Sequence, residues 1–191
     1  MLLSTHNLAL SSVADVRSGI TDERNSDTGE YCYQLIQPTS LTTSGDLGGI
    51  ITVRRKRELP SDDLVRTGDL LLRRLNTGTP FVIRSCPDNA VISTNLYRIR
   101  PNERVNVNYL AYLFDAGGLL GSIEHTIGSG TAIKSVSAKQ LCDLPIPMIP
   151  LATQTQLGRY WMLSRVRASL MEQLEREYNL LVKIILPKVT L

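Results

Sequence analysis

The pattern of hydrophobic and polar positions changes once along the chain, close to Pro150. Before that point, short apolar runs alternate with Gly, Pro, Asn and Ser, which is typical of short strands joined by loops. After it, the next proline is Pro187 and the only glycine is Gly158, so this segment can form one long helix. The sequence therefore predicts an α+β fold, with a mixed globular domain over residues 1–150 and a long helix over residues 151–191.

Within the first 150 residues, the local composition predicts five strands and three short helices. The helices are one over Ser12–Val16, one that Asn106 caps and that ends near Gly117, and one that begins with a capping box of Ser137 and Gln140. The strands are the runs YCYQLIQ (31–37), IITV (50–53), DLLLRRL (69–75), PFVIRS (80–85) and AVISTNLYRIR (90–100).

The long helix carries the clearest periodic signal. Thr153 and Gln156 have the spacing of a capping box and Pro187 marks an end, which predicts about 34 helical residues and a length of about 50 Å. Apolar residues recur every three or four positions and form one stripe: Leu163, Val166, Leu170, Leu174, Tyr178, Leu181 and Ile185. Because a domain of about 150 residues is too small to cover the whole stripe, we expect it to pack against another helix, from a second copy or a partner.

The net charge of +3 conceals an uneven distribution. Residues 1–49 carry a net charge of −4, residues 50–150 carry +4 and residues 151–191 carry +3. Of the 21 basic residues, 16 are arginines, whose planar guanidinium groups suit phosphates and guanine edges. This distribution is compatible with a nucleic acid partner, and a solvated surface of mixed charge is the alternative interpretation.

Motifs of several common catalytic sites are absent from the sequence. No acidic residue lies two positions before a lysine, as common metal-dependent nucleases require, and no Asn- or Asp-Pro-Pro-aromatic motif of adenine methyltransferases occurs. The segment 128–135 resembles a phosphate loop, but Ile133 stands where the glycine before Lys134 is required. The two histidines, His6 and His125, do not have the spacing of metal ligands from a cysteine or from each other. We therefore predict no catalytic residue, no metal site and no cofactor in this chain.

Two basic segments, each at the end of a predicted strand, are candidates for DNA contact. An arginine that ends a strand beside a polar turn can approach a phosphate or reach a base edge. The first segment, a candidate for phosphate positioning, is Arg54, Arg55, Lys56 and Arg57, and the second is Arg73, Arg74, Asn76 and Thr77. Solvated loop charges are the alternative interpretation for both segments.

Six segments in order resemble the specificity (S) subunit of type I restriction-modification systems, in a half-length form. They are LSSVADVRSG, LVRTGDLLLRR with its following Asn-Thr-Gly turn, AVISTNLYRIRP, VNVNYLAYLF, IGSGTAIKSVSAKQL and LPIPMIPLATQTQLG. Each segment alone is a loose pattern, so their order and spacing over nearly all 191 residues carry the resemblance. The acidic or glutamine-rich helix entry usual in the family is represented here by Thr153, Gln154 and Gln156, which is a modest departure from the family's pattern.

The resemblance implies a target recognition domain that reads DNA, followed by a spacer helix, with no catalysis by the chain itself. A full-length subunit has two of each, with antiparallel helices, so a homodimer of this chain would read a bipartite site. The resemblance also implies a methyltransferase partner that holds S-adenosylmethionine, and a restriction subunit as a further partner. Additional DNA contacts are then expected from Thr131, Lys134 and Ser135, in the turn of IGSGTAIKS.

We expect a cytoplasmic protein. No apolar run is long enough to span a membrane, no signal-peptide pattern is present, and Cys32, Cys86 and Cys142 are too scattered for a disulfide framework. Two other functions remain open. One is an oligomerising scaffold that uses the long helix to bind another protein and does not bind DNA. The other is a small enzyme with a site around Cys86, Glu124 and His125.

Overall fold

The computed structural model describes residues 6–21, 29–42, 45–75, 77–116, 118–119 and 135–189, with side chains up to residue 185. Within these residues, strands and helices are mixed, and a long helix ends the fold. The strands are β1 (His6–Ala9), β2 (Ala14–Ser18), β3 (Tyr31–Ile36), β4 (Ile51–Arg55), β5 (Leu70–Arg73), β6 (Phe81–Val82), β7 (Ala90–Ile92), β8 (Leu96–Pro101) and β9 (Pro145–Met148). The helices are α1 (Val107–Asp115), α2 (Ala138–Cys142) and α3 (Leu151–Val189).

Within residues 1–150, one predicted helix and one predicted strand differ from the structure in more than their bounds. The helix expected over Ser12–Val16 is wrong, because Leu10–Ser12 form a short 3-10 turn and the next residues form β2, which pairs antiparallel with β8. The run predicted as one strand over residues 90–100 is divided into β7 and β8 by a turn, in which Leu96 N donates to Ser93 O at 2.9 Å. In both places, pairing with a distant strand decides the conformation of a short segment.

The described strands form three sheets. The four-stranded sheet has the order β2-β8-β5-β6, the three-stranded sheet has the order β4-β3-β7, and β1 pairs with β9. In β5, Leu70 and Leu72 face a core shared with the helices, whereas Leu71 faces a second core between the two larger sheets. The fold is thus layered, with helices, then the four-stranded sheet, then the three-stranded sheet. Because both faces of β5 are buried, its sequence is a continuous apolar run without alternation.

A network of charges attaches the loop of residues 61–69 to the four-stranded sheet. Arg98 of β8 is 1% exposed and donates to the carboxylate of Asp15 and to two carbonyls of this loop. Arg100 donates from Nε and Nη2 to both carboxylate oxygens of Asp69, at 2.7 and 2.8 Å. Burial lowers the pKa of Arg98, whereas the hydrogen bonds to Asp69 raise the pKa of Arg100. Both arginines therefore connect segments that are distant in the sequence, because each pairs with a carboxylate of another segment.

The first turns of α3 pack on α1 at three points. Gln154 is 1% exposed, and its Oε1 accepts a hydrogen bond from the backbone N of Asn106, the residue that caps α1, at 2.9 Å. Gly158 lies so close to α1 that a Cβ there would stand 2.7 Å from Tyr109 N. Trp161 donates from Nε1 to Asp115 Oδ2 at 2.8 Å. These contacts set the direction in which α3 leaves the domain.

At both ends, α3 differs from the sequence prediction. It begins at Leu151, and Thr153 N and Gln154 N both donate to Pro150 O, so the expected capping box of Thr153 and Gln156 is wrong. The helix also continues through Pro187, where the sequence predicted its end. Its 39 residues give a length of about 58 Å. None of the described helices combines the length and the apolar character that a membrane crossing needs.

We expect Gly158→Ala to destabilise the protein by about 1–3 kcal/mol, because the new Cβ would collide with the first turn of α1. In an open helix the same change stabilises by about 1 kcal/mol, so the sign alone tests the close approach. The measurement is urea unfolding followed by circular dichroism. Ala168→Ser, on an exposed face of the same helix, is the control and should change the free energy of unfolding by less than about 0.5 kcal/mol. A stabilised Gly158→Ala variant would contradict this packing.

Candidate nucleic-acid interface

The structure brings two of the predicted DNA-contact segments together at the end of β5. Arg73 and Arg74 are exposed there, Leu75 forms an antiparallel bridge with Ser135, and Arg74 O accepts a hydrogen bond from Val136 N at 3.1 Å. The arginine pair and Ser135 therefore lie on one surface, although they are distant in the sequence.

Backbone contacts hold the arginine pair in place. Arg74 N donates to Asn95 O at 2.9 Å, and Arg73 Nη2 donates to Pro38 O at 3.2 Å. No hydrogen bond or ion pair with a described residue holds the Arg74 guanidinium, and Thr77 beyond it is half-buried. Exposed guanidinium groups on a rigid strand end suit a phosphate or a base edge.

Three of the predicted contact residues lie outside the described part of the chain, and four lie on the other large sheet. Asn76, Thr131 and Lys134 belong to the first group. The second group is the basic cluster on and just after β4, an outer strand of the three-stranded sheet. Its members are all exposed except the half-buried Arg55, which donates to Thr21 O, and they are Arg54, Arg55, Lys56 and Arg57. This cluster and the Arg73–Arg74 pair therefore belong to different sheets.

Two arginines that no sequence motif indicates lie beside Arg73. Arg84 follows β6, and Arg165 lies on α3, one turn beyond Trp161. Together with Arg73 they line a cleft of about 200 Å³ between the four-stranded sheet and the packed pair α1 and α3. No local motif marks either residue, and only the fold brings them to Arg73.

Other arginines are bound within the domain. Arg17 donates to Asp63 at 2.8 Å and to Asp15 at 3.0 Å, and the hydrogen bond to Asp63 is the main cause that raises the pKa of Arg17. Arg98 and Arg100 are bonded to carboxylates of other segments. The high arginine content of the sequence therefore serves the fold as well as the surface.

The apolar stripe of α3 is exposed along its whole length. Its seven residues range from 36% exposed at Val166 to 65% exposed at Tyr178. Trp161, which docks α3 on the domain, precedes Leu163 by two positions, and this places it about 200° around the helix. The stripe therefore faces away from the side that contacts the domain, and it presents a long apolar surface to other molecules.

The geometry around Cys86 does not resemble an activated nucleophile. Its Sγ is half-buried at 3.5 Å from Val65 O, and burial raises the pKa of this thiol, with the charges of Asp69 and Asp88 adding to the effect. A reactive cysteine needs a lowered pKa, because the thiolate is the attacking form. The other two residues of the enzyme alternative, Glu124 and His125, lie outside the described residues. Within the described ranges, no three His, Cys, Asp or Glu side chains are grouped to hold a metal ion.

No family model matches this sequence, and no curated protein matches it. Among solved structures, a chain of a type I R-M system, studied for its complex assembly and conformational transition, superposes with a TM-score of 0.67 at 16% identity. The HsdS subunit from Thermoanaerobacter tengcongensis superposes with a TM-score of 0.62 at 16% identity. The type I restriction-modification S subunit from M. genitalium superposes with a TM-score of 0.51 at 14% identity.

The chain has the S-subunit fold. The likeness covers 97%, 88% and 95% of this chain in the three comparisons, so it includes the sheet-rich domain and the long helix. The predicted α+β class with a long C-terminal helix and the predicted resemblance to S subunits are confirmed at the level of the fold. The chain spans only 44%, 39% and 42% of the three matched chains, which is less than half the length of each.

The burial of Cys86 and Cys142 allows a test of the alternative hypothesis that the chain is a small enzyme. At pH 8 we expect the exposed Cys32 to react with iodoacetamide faster than Cys86 or Cys142, because burial raises the pKa of both of the latter and lowers their thiolate fraction. Peptide mass spectrometry of a time course measures the three rates. The urea-unfolded chain is the control, in which the three rates should converge. If Cys86 reacts fastest in the folded chain, it is an activated thiol and the enzyme alternative is favoured.

Proposed function

We propose that this chain is the sequence-specific DNA recognition subunit of a type I restriction-modification complex and a member of the S-subunit family. The observation that carries the proposal is the shared fold, in which one sheet-rich domain is followed by one long helix over 97% of the chain. The exposed arginine pair beside Ser135 supports it, because DNA recognition needs unpaired donors on a rigid surface.

In this proposal the chain selects the DNA sequence and performs no chemistry. The Arg73–Ser135 surface, with Asn76, Thr77, Thr131 and Lys134, contacts bases and nearby phosphates. The basic cluster on and just after β4 positions the phosphate backbone. A methyltransferase subunit docks along the spacer helix, holds S-adenosylmethionine and flips the adenine. A restriction subunit is a further partner, and the complex acts on DNA in the cytoplasm.

The spacing of the stripe supports pairing of α3 with a second copy. From Leu163 to Leu181 the steps are three, four, four, four and three residues, which read the same in both directions. An antiparallel copy therefore brings apolar residues to the same height in three pairs: Leu163 with Leu181, Val166 with Tyr178, and Leu170 with Leu174. A two-fold dimer of this kind holds two identical recognition domains at opposite ends of the paired helices, so it would read two inverted half-sites across a fixed gap.

The exposed stripe also favours a second candidate function, an oligomerising scaffold that does not bind DNA. Both functions need the stripe, so the helix cannot distinguish them. The basic surface can distinguish them, because a scaffold that does not bind DNA does not need exposed arginines at the end of a strand. Salt-dependent binding to duplex DNA is therefore the property that separates the two functions.

We expect the chain to sediment with twice the chain mass at micromolar concentration, and Leu170→Glu to convert it to a monomer, because two charges would be buried near the centre of the antiparallel pair. Analytical ultracentrifugation measures the mass. Leu180→Glu is the matched control, since Leu180 is also exposed on α3 but lies off the stripe, and this variant should remain a dimer. A monomeric wild-type chain, or equal dissociation of both variants, would overturn the homodimer.

We expect the chain to co-purify with a type I methyltransferase subunit and the complex to bind duplex DNA in a salt-dependent manner. In that complex, Arg73→Ala with Arg74→Ala should weaken binding and lower the slope of log K against log [salt] by about one per lost phosphate contact. Arg159→Ala with Arg176→Ala removes two exposed arginines from α3 and should leave the slope unchanged. Unchanged binding by the Arg73–Arg74 variant would exclude this contact surface, and no salt-dependent binding by the wild-type complex would favour the scaffold.

A further inference from the structure

The cleft between the sheet and the long helix combines three arginines from three separate elements. Arg73 ends β5, Arg84 follows β6 and Arg165 lies on α3. The cleft has a volume of about 200 Å³, and its aromatic wall includes Phe81 and Trp161. The recognition domain and the spacer helix thus both contribute cations to one cavity.

The positive charge of this cleft has no internal counterion among the described residues. No carboxylate lines the cleft, and no hydrogen bond or ion pair with a described residue engages the guanidinium of Arg84 or Arg165. Among the described residues, the Arg73 side chain makes one hydrogen bond, which it donates from Nη2 to the carbonyl of Pro38 at 3.2 Å. Arg98 and Arg100 of the same domain contrast with them, because their charges are matched by Asp15 and Asp69. Three like charges held together without a carboxylate favour the binding of an anion.

The surrounding structure positions these arginines. Gly45 has a φ of 86° and brings its turn against Arg84, so that a Cβ there would stand 3.4 Å from the Arg84 Cζ. Trp161 is anchored by its hydrogen bond to Asp115, and Arg165 follows it on the same side of α3, one turn later. The three guanidinium groups therefore sit on a strand end, a turn and a helix that are each held by contacts of their own.

We propose that this cleft is a phosphate-binding site, and that the phosphate it takes belongs to the DNA backbone. Guanidinium groups match phosphate oxygens with paired donors, and three of them can surround one phosphate group. The assignment of the phosphate to DNA rests on the proposed function. It adds α3 to the part of the chain that contacts DNA. The spacer does more than separate two recognition domains, because Arg165 contacts the duplex and ties the start of the helix to the same phosphate as Arg73 and Arg84.

The test uses Trp161, the only tryptophan of the chain, which lines the cleft. The wild-type chain is titrated with a mixed-sequence duplex, and separately with inorganic phosphate and with AMP at constant ionic strength, while Trp161 fluorescence and duplex anisotropy are recorded. Arg84→Gln with Arg165→Gln removes two cleft cations. Arg159→Gln with Arg176→Gln removes the same charge from exposed positions on α3 outside the cleft and is the matched control.

The expected result is that the duplex changes Trp161 fluorescence and that the cleft variant loses this change. Its slope of log K against log [salt] should fall by about one relative to the control variant. If inorganic phosphate or AMP fills the cleft while duplex binding is identical in the two variants, the site takes a free phosphorylated ligand and its assignment to DNA is overturned. If the duplex binds and both variants behave alike with every ligand, the cleft is not a phosphate site, and the proposed function stands. If phosphate binds but duplex binds neither to the wild-type chain nor to its complex with the methyltransferase subunit, the proposed function fails and only the assignment of a phosphate site remains.

Discussion

The contact between α1 and the first turns of α3 is the constraint on which the functional arrangement depends. Gln154 binds the backbone of Asn106, and the missing side chain of Gly158 lets the two helices approach until backbone meets backbone. Trp161 completes the contact through Asp115. Because a helix is stiff over many turns, contacts in its first three turns direct the rest of its 39 residues. The outward direction of the apolar stripe and the position of Arg165 beside the sheet both follow from this one joint.

Two groups of arginines in the described part of the chain differ in their partners. Arg17, Arg98 and Arg100 are matched by carboxylates, and Arg98 is 1% exposed, so its charge is tolerated only because Asp15 and backbone carbonyls replace water. Arg74, Arg84 and Arg165 have no such partner among the described residues. The amino-acid composition does not distinguish the two groups. The second group is available to attract a phosphate, whereas a guanidinium that already holds a carboxylate has given up donors and net charge.

Local sequence predicted the elements whose signals are local. The N-cap of α1 at Asn106 and the capping box of Ser137 and Gln140 are present as expected, because each needs only residues within one turn. The predictions that failed depended on distant partners. Residues 14–18 form a strand because β8 supplies their hydrogen bonds. The sequence did not predict β9, because Pro145 and Pro147 are poor strand residues, although the two-stranded pairing with β1 accommodates them. At the site, Arg73, Arg74 and Ser135 could be named from the sequence, but Arg84 and Arg165 could not.

The sequence by itself determined the α+β class, the long helix and the symmetric spacing of its stripe, because helical periodicity and turn residues act over a few positions. It also determined that a surplus of arginine was available. Only the tertiary structure decided which arginines remain unpaired, because ion pairs such as Arg98 with Asp15 join residues far apart in the chain. The tertiary structure also turned the stripe away from the domain and brought Arg73, Arg84 and Arg165 to one cleft. Such convergence depends on how sheets and helices pack, and no local pattern encodes it.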